Sequence, residues 1–312
     1  MDIIDLHCDT LYKAAIDGIS LDDRSSETKL NVNKNRHKLQ CYAIWIPDSY
    51  SGEDAENLFV RSYKILRQEC EKHGIDFIKP KDNLSEKFST NVNSAYFTVE
   101  NGLALNGKIE NVKFLAECGV RMMTLTWNAT NHIGDGAGVE NARGITEFGK
   151  AVVREMERND IIVDVSHASQ NLFYDVADIA KRPFIASHSN SFSVTSHRRN
   201  LTDEQFEIIK NANGIVGINF HNAFLNENPE NACVEDVLRH IEHFLSIGGE
   251  DTICFGSDFD GGILPKDIRN SGVYDIIYEL MLKKNYKEWL IRKIFYGNAL
   301  NFFENFDNRQ NM

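Results

Sequence analysis

Short runs of β-branched and aromatic residues recur along the chain and alternate with segments of helical period. Eight such runs predict strands, at 3–6, 42–46, 95–99, 121–126, 161–166, 184–187, 215–220 and 252–257. Phe148, Val152 and Met156 fall four apart among Lys150, Arg154, Glu155 and Arg158, so one face is apolar and the other solvated, which predicts an amphipathic crossover helix. Thr202 and Gln205 have the spacing of a capping box, and Gly214 stops that helix before the next strand. Val234, Val237, Leu238, Ile241 and Leu245 form a further apolar face, ended by Gly248 and Gly249. Strands alternating with helices in this number predict an α/β fold of the (β/α)8, TIM-barrel type over an open doubly wound sheet.

Two segments break the alternation. Residues 17–40 are polar and rich in Asp, Lys and Asn, and 128–144 carry glycines at 134, 136, 138 and 144. Both are expected beyond strand ends, on the side where a barrel builds its site. The second is the better candidate for a mobile substrate loop, because glycine adopts positive φ freely and lets backbone approach a ligand.

A chain of 312 residues with 42% hydrophobic and 26% charged residues can bury one large core, so residues 1–312 are read as a single catalytic barrel domain. The net charge of -12 argues against nucleic-acid and anionic-membrane partners, which need a basic face. No apolar stretch approaches the roughly 20 residues of a membrane span, and the first strand begins at the start of the chain without a leader, which points to the cytoplasm. The six cysteines are scattered without a Cys-x-x-Cys pair, so they read as buried thiols.

The polar residues that close the runs change the picture. His7 and Asp9, Glu100, His167, His188 and Asp258 each follow a β-type run, and all six are types that bind or work beside divalent metals. At the carboxyl edge of a parallel barrel such residues converge from strands far apart in sequence. One residue separates His7 from Asp9, which on a strand turns both to the same face. A carboxylate closing an apolar run, as Glu100 does, is rarely buried unless paired or metal-bound, which suits a ligand bridging two cations. Two divalent cations balance Asp9, Glu100, Asp258 and a bridging hydroxide, whereas one leaves the set net negative. Asp258 lies in a glycine-bracketed turn, where it either caps the turn or takes a proton from metal-activated water. His37, His73, His240 and His243 lie in charged, loop-like or helical contexts and read as solvated.

His7-Cys8-Asp9, Glu100-Asn101-Gly102, Asp164-Val165-Ser166-His167, Ser187-His188-Ser189 through Arg198-Arg199-Asn200, and Gly256-Ser257-Asp258-Phe259-Asp260-Gly261 together resemble the renal, or membrane, dipeptidase family of zinc peptidases, in family order and over nearly the whole chain. The resemblance implies a barrel of the metal-dependent hydrolase kind and a dipeptidase with two Zn2+, in which a metal-bridging hydroxide attacks the peptide carbonyl. It implies that His7 and Asp9 hold one zinc, His167 and His188 the other, and Glu100 bridges them. Asp258 is then the acid/base and Arg199 the anchor of the substrate carboxylate, a fork matched to two planar oxygens. Tolerance of D-residues at the carboxyl-terminal position and a homodimer are also implied. The three histidines favour zinc, and Mn2+ or Co2+ suits the same ligands.

One departure stands out. Well-known members carry a histidine where this chain has Trp127, after Thr124-Leu125-Thr126. Its contact with the scissile carbonyl is expected to pass to Asn128, to His132, or to the metals alone, with Trp127 as a pocket wall and His221 lining the rim. The alternative enzyme is a binuclear hydrolase of the same fold acting on a lactam, lactone or other cyclic amide. The alternative outside catalysis is a binding protein on a retired barrel.

Overall fold

The computed structural model describes residues 1–30, 36–50, 52–88, 90 and 92–308. Its strands are β1 (Ile3–Cys8), β2 (Lys38–Trp45), β3 (Asp76–Phe77), β4 (Ser94–Glu100), β5 (Val120–Thr124), β6 (Ile162–Asp164), β7 (Val216–Ile218) and β8 (Ile253–Phe255). All the pairings between them are parallel, in the order β6-β5-β4-β2-β1-β8-β7, with the two-residue β3 added beside β4.

The barrel closes through the run predicted at 184–187, which is reduced to single bridging pairs, Ile185 with Asp164 and Ala186 with Val216. Val165 N–H donates to Ile185 O at 2.8 Å and Gly217 N–H to Ala186 O at 2.9 Å. Beside this seam Gly217 and Gly256 pack against the Ser187 carbonyl, leaving no room for a Cβ at either position. Gly217→Ala is expected to cost about 1–3 kcal/mol, because backbone rather than a movable side chain blocks the methyl, and a urea midpoint measurement checks it.

The β1 edge carries the first of the clustered polar residues by an irregularity. The register with β2 shifts between Asp5 and Cys8, and Asp5 Oδ1 accepts from the His7 N–H at 3.2 Å. Ile4 and Leu6 belong to one core while Cys8 belongs to the other, so the bulge reverses the alternation and re-aims the side chains beyond it. Asp9 is no longer on the strand: it is the N-cap residue of the helix Thr10–Asp17. The strand-alternation argument for His7 and Asp9 therefore does not hold, although their side chains do meet.

The larger core lies between the strands and the surrounding helices. The smaller one joins Ile4, Leu39, Tyr96, Met122, Ile162 and Ile215 to Phe302, Phe303 and Phe306 of the C-terminal helix Asn298–Asn308. That helix stops the amino ends of the strands, and buried Arg121 ties it down through Asp307 Oδ1 at 2.8 Å and Phe303 O at 3.2 Å. The opposite, carboxyl end is left for chemistry.

The helical expectations hold at Glu147–Arg158, with Val152 and Met156 buried, and at Val234–Ser246. The capping box of Asp203–Asn211 has both of its bonds, Gln205 N–H to Thr202 Oγ1 at 3.2 Å and Thr202 N–H to Gln205 Oε1 at 3.0 Å. The polar segment 17–40 is only partly irregular, since 38–40 open β2; residues 31–35 lie outside the described residues. Five of the six cysteines are buried, all as free thiols.

His37 and His240 correct the solvated reading, for both are buried. His240 shares a helix face with Val237 and Phe244; its Nδ1 accepts from Ser191 N–H and its Nε2 donates to Leu225 O, each at 3.1 Å. Burial pushes both rings down to about 4, so they are neutral structural groups.

Candidate active site

Loops and strand ends at the carboxyl edge bring six side chains to one cluster. His7 Nε2 lies 3.2 Å from Asp9 Oδ2, 3.8 Å from Glu100 Oε2 and 3.8 Å from Asp258 Oδ1. The other oxygen of Glu100, Oε1, lies 2.9 Å from His167 Nε2 and 3.7 Å from His188 Nε2. Glu100, the last residue of β4, thus divides its two oxygens between two groups of nitrogen donors. The His7 and His188 rings stack with centroids 3.9 Å apart.

His167 and Asp258 both have positive φ, 65° and 63°, in positions where the chain leaves its strand. Such backbone is costly for a residue with a Cβ and is kept where the surrounding structure demands it, often at functional sites. Asn101 next to Glu100 is likewise at 86°, with its side chain tied to Ile46 O and Asp48 Oδ1, both at 2.9 Å.

The charges of the cluster act strongly on one another. Burial, with the Asp9 and Asp258 charges, pushes the Glu100 carboxyl well above its usual range. Burial and Asp9 also push Asp258 up to about 7. His7 rises to about 10 against the cost of burial, because Asp9, Glu100 and Asp258 surround it. Burial and the nearby positive charges hold His167 and His188 well below the ordinary histidine value, hence neutral and ready to donate lone pairs.

The donor set also passes a direct test for metal. Asp9 Oδ1 and His188 Nε2 are buried with no hydrogen-bond partner among the described residues. Donor atoms of His7, Glu100 and His188 lie within 4.8 Å of one another, as do those of His7, Asp9 and Asp258. Buried polar atoms of this kind are normally satisfied, and these groups have the donor types and spacing to hold a metal ion.

A pocket of about 410 Å³ opens over the cluster, lined by Asp9, Glu100, His167 and Asp258 on its floor. One wall is Tyr12, Trp45 and Trp127, whose rings pack in sequence at 4.8 and 4.9 Å. The facing wall is His197, Arg199, His221 and Phe224. Arg199 is buried, its Nη2 donates to His188 O at 3.3 Å, and its Nε has no partner among the described residues. Its guanidinium lies over Phe224 at 5.4 Å, and burial lowers it to about 10. Arg198 also lines the pocket but is exposed, and its Nη1 donates to Gly138 O at 3.5 Å.

The family whose profile matches this chain over residues 1–312 is described as membrane dipeptidase, peptidase family M19. The chain belongs to the membrane dipeptidase family. It is a metal-dependent dipeptidase on a TIM-type barrel. A dipeptidase of family M19, also described as a metallopeptidase, superposes with a TM-score of 0.90 at 25% identity, over 97% of this chain and 98% of that one. A metallopeptidase from Rhodobacter sphaeroides, liganded with a phosphinate mimic of the dipeptide L-Ala-D-Ala, has a TM-score of 0.91 at 24% identity, over 97% and 99%. An uncharacterised protein from the pqqA 5′ region of Klebsiella pneumoniae is 29% identical over 216 residues, 66% of this chain and 80% of that protein. Despite the family's name, no helix among the described residues is long and apolar enough to cross a membrane.

In this dipeptidase the substrate-side expectations divide. Trp127 and His221 line the pocket, and His221 also accepts the Ala223 N–H at 3.2 Å and stacks on Phe224. Asn128 lines it too, but its Oδ1 lies 3.0 Å from His167 Nδ1, so it holds a histidine of the cluster. His132 does not join the pocket. The turn in which Thr130 pairs with Asp135 carries it outward, where it is exposed and meets Phe148 edge-on at 6.3 Å. The glycine argument for 128–144 also changes, since only Gly144 has positive φ. Gly136 and Gly138 are needed because the backbone of residues 127–129 passes where a Cβ would sit.

Sequence reasoning passed over Asn219, whose Nδ2 donates to Asp258 Oδ2 at 3.0 Å. It also passed over Tyr12, Trp45, His197 and Phe224, which come to the pocket from loops and helices without a shared pattern. Asp5 and Asp164, which had no assigned role, each precede a clustered histidine by two or three residues, and each is a buried acceptor of several bonds.

Proposed function

We propose that residues 1–312 form one catalytic barrel domain that hydrolyses dipeptides with two divalent cations, Zn2+ by preference, and that Asp258 acts at the scissile bond while Arg199 holds the substrate's terminal carboxylate. The observation that carries the reading is the division of the Glu100 oxygens, Oε2 toward His7 and Oε1 toward His167 and His188, beneath a pocket that also holds Asp258 and Arg199. His7 and Asp9 would hold one cation and His167 and His188 the other, with Glu100 offering an oxygen to each. Three imidazoles favour zinc, while Mn2+ or Co2+ fits the same donors. When bound, the metal pair supplies an acidified water and polarises the scissile carbonyl.

The chain's own groups do the rest. Arg199 pairs with the substrate's terminal carboxylate, and its buried, unpartnered Nε supports this. Asp258 takes the proton of the attacking water and delivers it to the leaving amine, with Asn219 fixing one of its oxygens. Anchoring the terminal carboxylate on Arg199, so close to the cluster, would limit substrates to two residues. Trp127 contributes a wall in place of the family histidine, and the catalytic donor that histidine supplies is left to the metals.

The similar Rhodobacter sphaeroides enzyme carries a mimic of L-Ala-D-Ala, which makes a D-residue at the carboxyl-terminal position part of this reading. A homodimer in the cytoplasm completes it, and sedimentation of the purified chain checks the dimer.

A panel of L,L and L,D dipeptides with Zn2+-loaded protein is the direct test, and turnover of none of them with metal bound sinks the assignment. Arg199→Ala is expected to raise KM about 10–100-fold, the worth of a charged hydrogen bond, with a smaller change in kcat. A dipeptide amide, which lacks the carboxylate, should lose nothing further in the variant.

A further inference from the structure

His188 offers Nε2 to the cluster only if its proton sits on Nδ1, and the structure contains a device that decides this. Asp164 is buried at the end of β6. Its Oδ1 accepts the N–H groups of Ser166 at 2.9 Å and Ser187 at 3.0 Å. Its Oδ2 accepts the hydroxyls of Thr124 at 2.8 Å and Ser187 at 2.5 Å. Ser187 Oγ in turn lies 2.8 Å from His188 Nδ1.

A serine hydroxyl has one proton to give. A carboxylate can only accept, so that proton goes to Asp164 Oδ2, and Ser187 Oγ must accept from His188. His188 Nδ1 therefore carries hydrogen and Nε2 carries the lone pair, which is the buried atom without a partner facing Glu100. Asn128 Oδ1 does the same for His167, whose Nε2 faces Glu100 Oε1.

We infer that Asp164 is a positioning residue that acts through Ser187 to set the tautomer of His188 and so makes it a metal ligand. The inference rests on the proposed ligand set and deepens it. Histidines that bind metals commonly pass their other ring hydrogen to a carboxylate or carbonyl. Here a serine is interposed, and the polarity of the whole relay depends on one carboxylate.

The isosteric variant Asp164→Asn makes this testable, because it reverses the relay without removing it. The amide oxygen must keep the Oδ1 place, where two N–H groups point at it. The amide NH2 then takes the Oδ2 place and donates to Ser187, whose hydroxyl turns to donate to His188 Nδ1. The ring proton moves to Nε2, toward the cluster.

The experiment is 15N NMR of the histidine rings in metal-free protein, with Zn2+ affinity measured by competition against a chromophoric chelator. In the unvaried chain His188 is expected as the Nδ1–H form, and Zn2+ is expected to shift its Nε2 resonance. In Asp164→Asn the proton appears on Nε2, and one of two equivalents of Zn2+ is weakened about 10–100-fold. Ser187→Ala, which removes the acceptor, mixes the tautomers and weakens the same equivalent toward the lower end of that range. A merely structural Asp164 or Ser187 leaves the tautomer where it was. A folded Asp164→Asn with Nδ1–H and unchanged Zn2+ affinity overturns the inference, and if that variant does not fold, the same result from Ser187→Ala overturns it. If Zn2+ fails to move the His188 resonance in the unvaried chain, the ligand reading itself fails, and the relay loses its purpose.

Discussion

Asp258→Asn is expected to lower kcat about 10²–10⁴-fold while the protein keeps its metal, because the variant removes a proton carrier and leaves the proposed ligands in place. Asp258 lies at the edge of the cluster, 3.8 Å from His7 Nε2, and its second oxygen is held by Asn219. For the protein groups alone, burial and the Asp9 charge push its carboxyl up to about 7, and its place beside the proposed ligands lets it take and return a proton. The turn Gly256 to Gly261 does not need the charge, since Gly261 N–H donates to the Asp258 backbone carbonyl at 3.1 Å. Metal analysis beside kinetics decides between the two uses of this carboxylate: loss of metal in the variant reassigns Asp258 as a ligand.

Glu100→Gln is expected to have the second large effect, and in two opposite senses. Turnover should fall to background, because the bridging ligand loses a charge and one of its two acceptor oxygens. The metal-free variant should nevertheless be more stable than the metal-free parent, by about 0.5–2 kcal/mol, as when a functional group under strain is replaced by a less demanding one. The strain is electrostatic: the Glu100 carboxyl is held well above its usual range by burial and by the charges of Asp9 and Asp258. Cations relieve it in the parent. Zn2+ at a thousandfold excess over its dissociation constant should stabilise the parent by about 4 kcal/mol per site, and Glu100→Gln far less. Thermal melts of both proteins with chelator and with Zn2+ make the comparison. A metal-free parent more stable than the metal-free variant contradicts this account of the cluster.

These two carboxylates show why sites of this kind are visible in a sequence. Each closes an apolar run, where a charge is expensive unless something compensates it, and the same holds for the three histidines. The eight apolar runs likewise correspond to the eight staves of the barrel, because a strand buried on both faces must be apolar along its length. Where the reading fell short, the cause is packing. The run at 184–187 is held by single bridging pairs, and it packs against Gly217 and Gly256, where only a bare backbone fits. His132 lies in the glycine-rich segment expected at the site, yet the turn between Thr130 and Asp135 carries it away from the pocket. His240 was assigned to solvent from its charged neighbours in sequence, whereas its neighbours in space are Ser191 and Leu225.

By itself, then, the sequence determined the barrel, the family and which side chains gather at its carboxyl edge, since these depend on residue type and local period. Only the tertiary structure decided how they gather. The bulge after Asp5, the split of the Glu100 oxygens between facing histidines, the aromatic wall of Tyr12, Trp45 and Trp127, and the bonds from Asn128 and Ser187 that orient two imidazoles all join residues from separate elements. A hydrogen bond or a ring contact is settled by distances of a few tenths of an ångström, and no periodicity along a chain carries that information.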